Sequence, residues 1–151
     1  MKMRSSDFMR ALPAATRAKL PKKYQTFKVN LRAWLVQLSY ADPLLHYEVV
    51  THGDRRGVLE VGLHFESRTS EMNAQLLAGF MKYLFEIKME LGDRVEAEMW
   101  DKGWTKVYET IELDDFDEAY LDHVADRLAK MIVVLQPIFE RVMKNLEKSA
   151  R

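Results

Sequence analysis

One β-hairpin in this chain can bring together two histidines and two glutamates. The segments LLHYEVVTH (44–52) and VLEVGLHFE (58–66) alternate apolar and polar residues, with GDRRG (53–57) as the turn between them. Closing that turn sets His46 opposite His64 and places Glu48 and Glu66 beside them on the same face. Two imidazoles and two carboxylates at cross-strand distance are a donor set for zinc or another divalent ion. The plainer alternative is a solvated strand face of ordinary polar residues, and no HExxH signature accompanies the set. His123, next to Asp122, reads as a surface residue.

A second set is Glu86-Ile87-Lys88, which as letters matches the E-x-K of restriction-type nucleases. That chemistry needs the acid and the lysine side by side on a strand, with an upstream aspartate, to hold a metal. This pair lies in the most helical stretch of the chain, where positions two apart face different ways. It is therefore rejected as a nuclease site.

A third set is basic. Residues 1–32 carry nine basic side chains against one acid, Asp7, although the chain as a whole has no net charge. Lys28 and Arg32, four apart, share one helical face if 21–40 is a helix, and Arg17, Lys19, Lys22 and Lys23 cluster before them. Such a surface would take phosphates in a salt-sensitive, largely sequence-blind way. The alternative is a solvated helix, or one docked on the acidic stretch 109–126.

The fourth set is aromatic. In EMWDKGWTKVYET (98–110), Trp100 and Trp104 close a three-residue loop, Asp101-Lys102-Gly103, with Gly103 suited to the left-handed position. Alternation puts both tryptophans on the face of Arg94, Glu96, Glu98, Lys106 and Tyr108, away from the aliphatic face, with Glu98 and Lys106 as cross-strand partners. They would pack under other elements, or form a protein interface, where Trp and Tyr are enriched. As a platform for stacked bases the same surface is disfavoured by Glu96 and Glu98, which repel phosphates.

The elements that must position these residues follow from periodicity. A short helix capped by Ser5 or Ser6 is expected to stop at Pro13. Phe27, Leu31, Trp34, Leu35 and Leu38 recur at three- and four-residue spacing, which predicts a helix over 21–40. The hairpin 44–66 follows, then an apolar helix over 70–91 closed by Gly92, then a second hairpin over 94–111. A last helix, capped by Asp115, runs to about 148 and should kink or split at Pro137. The expected fold is α+β: a four-stranded antiparallel sheet of two hairpins, in helix–hairpin–helix–hairpin–helix order, with helices on one face. Residues 1–20 are expected as an N-terminal extension with short helical turns, and 21–151 as a single domain.

Composition excludes other chemistry. The chain of 151 residues has no cysteine, so it has no disulfide, thiolate metal site or cysteine nucleophile. No catalytic triad, phosphate loop or dinucleotide fingerprint is visible, and no cofactor is expected. No apolar run marks a signal peptide or membrane span, so a cytoplasmic location without membrane contact is expected.

The run FMKYLFEIKMELGDRVEAEMWDKGWTKVYETI, with the long helix after it (residues 75–148 together), resembles an uncharacterised bacterial domain family. Members of that family occur alone or attached to nuclease-like regions. The resemblance carries no catalytic residues to transfer. The order of elements also looks like that of the small dimeric chaperones of bacterial secretion systems, which implies a non-enzymatic, protein-binding role.

Three functions are therefore expected, in this order. The first is a non-enzymatic protein-interaction or chaperone-like module using Trp100, Trp104, Tyr108, Glu96 and Glu98. The second is a nucleic-acid-associated accessory protein using Arg17, Lys19, Lys22, Lys23, Lys28 and Arg32. The third is a metal-dependent enzyme using His46, Glu48, His64 and Glu66. The last helix carries Ile132, Val133, Val134, Leu135, Ile138 and Phe139, an apolar surface in excess of what a small sheet needs, so a homodimer is expected beside an unknown protein partner.

Overall fold

A computed structural model describes residues 2–52 and 57–150. Four helices are described: α1 (Ser5–Arg17), α2 (Ser70–Met81), α3 (Leu84–Leu91) and α4 (Glu118–Ser149). Six strands form one antiparallel sheet: β1 (Lys28–Arg32), β2 (Leu35–Ser39), β3 (Leu45–Thr51), β4 (Val58–Phe65), β5 (Glu96–Met99) and β6 (Thr105–Glu112). Their spatial order is β1-β2-β3-β4-β6-β5. The fold is α+β, as expected, but the sheet has six strands where four were expected.

The two extra strands come from 21–40, expected as a helix. Lys28–Arg32 and Leu35–Ser39 form a hairpin, with Asn30 opposite Gln37 and β2 continuing onto β3. The apolar spacing fits both periods: Val36 and Leu38, two apart, are buried, while Trp34 and Leu31, members of the helical stripe, are exposed. A helix here would leave the β3 edge unpaired, and the hairpin satisfies it instead.

The core lies between one sheet face and the helices. Val36, Leu38, Tyr47, Val49, Leu59, Val61, Leu63, Phe65 and Val107 supply the sheet side. α4 crosses it, with Phe139 stacked on Phe65 and the Tyr47 hydroxyl donating to Gln136 Oε1 at 3.0 Å. α2 adds Phe80 against Phe65, and its Asn73 carbonyl accepts from Thr105 Oγ1 at 2.7 Å. α1 lies against α4 and β2, its fully buried Phe8, Met9 and Leu12 belonging to the same core. The segment expected as an N-terminal extension thus supplies central core residues.

Four expectations about helix boundaries differ. α1 runs through Pro13 to Arg17, held by core contacts on both sides of the proline. α4 is unbroken at Pro137, because Gln136 and Phe139 are both fixed to the sheet across it. Its cap is Asp117, which accepts from the Tyr120 amide, and not Asp115. The helix expected over 70–91 breaks at Lys82 and Tyr83 into α2 and α3, with no glycine or proline to mark it. Of the apolar residues expected as a surplus on α4, Ile132 and Leu135 are fully buried, Val134, Ile138 and Phe139 pack partly buried against the core, and Val133 is 42 % exposed. No helix among the described residues is long and apolar enough to cross a membrane.

The hairpin register is the one the alternation implies, with His46 opposite His64 and Glu98 opposite Lys106. The turn expected at 53–57 lies, apart from Gly57, outside the described residues. Gly103 takes the expected left-handed conformation, φ 77°, and Lys102 before it does too, φ 60°.

Candidate metal centre

The sheet face turned away from the helices is a polar grid. One row across it runs Asn30, Gln37, Glu48, Gly62, Tyr108, Glu96, and a neighbouring row contains His46, His64, Lys106 and Glu98. This face is not a solvated one: His46, Glu48, Glu60, His64 and Lys106 are all buried. Aromatic side chains of the second hairpin shield it. Trp100 packs edge-on against His64, 5.6 Å between ring centroids. The Lys106 ammonium lies over both Trp100 and Tyr108, 5.1 and 4.1 Å from their centroids. Trp104 packs on Trp100 at 5.2 Å.

Within this grid the four expected ligands converge. One donor atom from each of His46, Glu48, His64 and Glu66 lies within 4.8 Å of all the others. The His46 ring is anchored from outside, where its Nδ1 meets the Pro43 carbonyl at 2.8 Å. A carbonyl only accepts, so Nδ1 carries the proton and Nε2 points a lone pair inward unless the ring is cationic. Inward lie Glu48 Oε1 at 3.2 Å and Glu66 Oε1 at 3.8 Å. His64 mirrors this. Its Nε2 meets Glu60 Oε2 at 2.8 Å, on the far side, and its Nδ1 faces Glu66 Oε2 at 3.0 Å and Glu48 Oε2 at 3.7 Å.

The outer partners are themselves held. Glu60 Oε1 accepts from Lys106 Nζ at 2.8 Å and faces His52 Nε2 at 3.1 Å. Glu48 Oε1 accepts from Gln37 Nε2 at 2.7 Å, and Gln37 accepts from Asn30 at 2.8 Å. An imidazole fixed through its outer N–H by a carbonyl or a carboxylate is the usual arrangement of a metal-ligating histidine. A tetrahedral ion with bonds of about 2.0–2.1 Å separates its ligand atoms by about 3.3 Å. The four nitrogen–oxygen distances, 3.0–3.8 Å, engage Oε1 of both carboxylates toward His46 and Oε2 of both toward His64; with one donor atom per residue the separations extend to 4.8 Å, so the side chains would draw together on a tetrahedral ion.

Without an ion, protons do the balancing. Burial pushes the His64 imidazole down, but Glu60, Glu66 and Glu48 outweigh it and hold the ring up at about 9. Burial pushes the Glu60 carboxyl up, but His64 and Lys106 outweigh it and hold it down at about 2. Glu48 is likewise held below its ordinary value against burial, by His46, His64 and Gln37. The His64 contribution to stability is complete below its ordinary value of 6.5 and is lost as pH rises through 9. The Glu60 contribution is complete above 4.5 and is lost as pH falls through 2. In chelator, the urea midpoint is therefore expected to be highest between pH 4.5 and 6.5 and to fall on either side. A midpoint that climbs between pH 7 and 9 would contradict this.

Gly62 sits in the grid between Glu48 and Tyr108. A Cβ there would lie 2.5 Å from Tyr108 Cβ and 2.8 Å from the Val107 carbonyl oxygen. Both neighbours are backbone-bound and cannot yield. Gly62→Ala is expected to cost about 1–3 kcal/mol in urea denaturation.

The remaining expected site residues are placed as follows. Trp100, Trp104 and Tyr108 are half-buried and, through Lys106, adjoin the histidine–glutamate cluster instead of forming a separate surface. Tyr108 donates to Glu98 at 2.7 Å, and Glu96 pairs with Lys88 at 3.1 Å. Among the basic residues, Arg17 is turned onto its own chain, donating to the Gln25 carbonyl and stacking over Phe27, and Lys19 pairs with Asp122 at 2.8 Å. Lys22 and Lys23 are exposed beside Tyr24. Lys28 and Arg32 share a face as expected, but it is a strand face, in line with Asn30. Glu86 and Lys88 lie on α3, as the rejection of a nuclease site required. Sequence reasoning missed Glu60, Lys106, Gln37 and Pro43 as supports. For Glu60 and Lys106 the signal was present, since both alternate onto the face of His64.

Comparison of the chain with protein-family models, with curated proteins and with solved structures finds no match.

Proposed function

We propose that this chain binds one divalent ion of the zinc class through His46 Nε2, His64 Nδ1 and the carboxylates of Glu48 and Glu66. The observation that carries the reading is that both rings are fixed through their outer nitrogen and turn the inner one onto the same two carboxylates. Two imidazoles with two carboxylates suit zinc, and also cobalt, nickel or iron, better than calcium or magnesium. Four protein donors complete a tetrahedron, and Glu66, the most exposed of them, is only 14 % exposed. That is the closed kind of site, in which the ion holds structure, and not the kind that keeps a position open for a reacting water. The ion is thus a structural clamp on the polar face, and a metal-dependent hydrolase is the weaker reading of the same residues.

The ion replaces the His64 proton. Binding is therefore expected to release close to one proton per ion near pH 7.5 and to weaken as pH falls. The test is metal analysis of protein purified without added chelator, followed by calorimetric titration of zinc into chelator-treated protein in two buffers of different ionisation heat. One ion per chain with proton release supports the reading. A chain that takes up none of zinc, cobalt or nickel leaves the cluster as a proton-balanced ion-pair network and sinks it.

A protein-interaction role stands as a second reading, favoured by one observation: Trp100 packs directly on the ligand His64. The half-buried Trp104 and Tyr108 beside it make a surface whose arrangement depends on what the cluster holds.

A further inference from the structure

Among the described residues the sheet ends in two edges with no strand partner, β1 on one side and β5 on the other. An open edge presents free backbone donors and acceptors to another chain. The two edges carry opposite charge. On the polar face, β1 presents Lys28 and Arg32, and β5 presents Glu96 and Glu98. On the helix-side face, β1 presents Val29 and Leu31, 44 % and 36 % exposed, and β5 presents Ala97 and the 62 % exposed Met99. Basic thus faces acidic on one side, and apolar faces apolar on the other.

We propose that copies of this chain associate head to tail, β1 of one copy pairing with β5 of the next. The topology permits it without inversion. Six strands alternate in direction across the sheet, so β1 and β5 run oppositely. A neighbour in the same orientation therefore continues both the antiparallel alternation and the two faces. In the register that sets Arg32 opposite the neighbour's Glu96, Asn30 meets Glu98, and Lys28 lies diagonal to Glu98, within reach of a long side chain. Two-fold pairing of like edges is opposed, since β1 on β1 sets Lys and Arg against each other, and β5 on β5 sets Glu against Glu. Glu96 also holds Lys88, which ties α3 to this edge, and the same helix exposes the apolar Phe85 and Met89, 74 % and 72 %. An interface of this kind is heterologous and grows into a ring or a filament.

The experiment is sedimentation velocity of the full chain across a hundredfold concentration range, in chelator so that the metal site plays no part. Species larger than a dimer are expected to form with concentration and to dissociate at high salt. Lys28→Glu with Arg32→Glu, and separately Glu96→Lys with Glu98→Lys, should each give monomers with unchanged circular dichroism. Mixing the two double variants restores both pairings and should restore assembly. A wild-type chain that stays monomeric throughout, or an oligomer that neither double variant dissolves, overturns the proposal.

Discussion

Replacing His64 with alanine is expected to abolish stoichiometric metal uptake and to destabilise the metal-free chain by about 3–5 kcal/mol, the usual effect of removing one partner from a buried charge network. His64 is 1 % exposed and faces Glu48, Glu60 and Glu66. Without it, Glu60 keeps only Lys106 and His52, and Glu48 keeps only His46 and Gln37. Because such a variant risks misfolding, Glu60→Gln separates the roles. Glu60 is not among the four proposed ligands; it fixes the His64 ring through Nε2. Its replacement is expected to weaken zinc binding by about 10–100-fold, the usual effect of losing a ligand's orienting partner. Trp100 fluorescence gives an independent readout, since its ring lies on His64. Zinc should change the emission of the wild-type chain and leave that of His64→Ala unchanged. Tight zinc binding by His64→Ala would remove the imidazole from the ligand set and the proposed site with it.

Phe8→Ala is expected to cost about 3–5 kcal/mol, the range for truncating a buried phenylalanine. Phe8 is fully buried and packs on Phe116 and Tyr120, 4.6 and 5.6 Å between centroids. It bridges α1 to the start of α4, elements more than a hundred residues apart in sequence. A detachable N-terminal segment would show a shift of a few tenths of a kcal/mol at most. Urea denaturation of the variant distinguishes the two, and a loss below about 1 kcal/mol would mean that α1 rests on the domain without being part of its core.

The first hairpin and its register were legible because strand periodicity is a local signal. Tyr47, Val49, Leu59, Val61 and Leu63 alternate strictly, and a slip of one residue would turn all of them away from the core. That alternation, with the turn expected at 53–57, puts His46 opposite His64, and the loop at 101–103 does the same for Glu98 and Lys106. The segment 21–40 was not legible, because its apolar residues satisfy the helical period and the strand period together. What separates them is the edge of β3, which begins at Leu45 beyond the segment and needs a strand to pair with it, and no local count of apolar positions contains it. The same holds for Pro13 and Pro137, whose helices are held across the proline by side chains from other elements.

The sequence by itself determined the donor set: His46, Glu48, His64 and Glu66 on one face of one hairpin, and the tryptophans on that same side of the sheet. Only the tertiary structure decided that this face is buried. Only there do Pro43 and Glu60 hold the two rings from outside, and only there do both inner nitrogens meet the same pair of carboxylates. The reason is physical. Facing is fixed by the two-residue period of a strand, which is written along the chain. Burial depends on groups brought in from β2 and the second hairpin, whose distance from the site in sequence leaves no local trace, and ring orientation depends on the Pro43 carbonyl and the Glu60 carboxylate, which are near in sequence but whose direction the two-residue period does not specify.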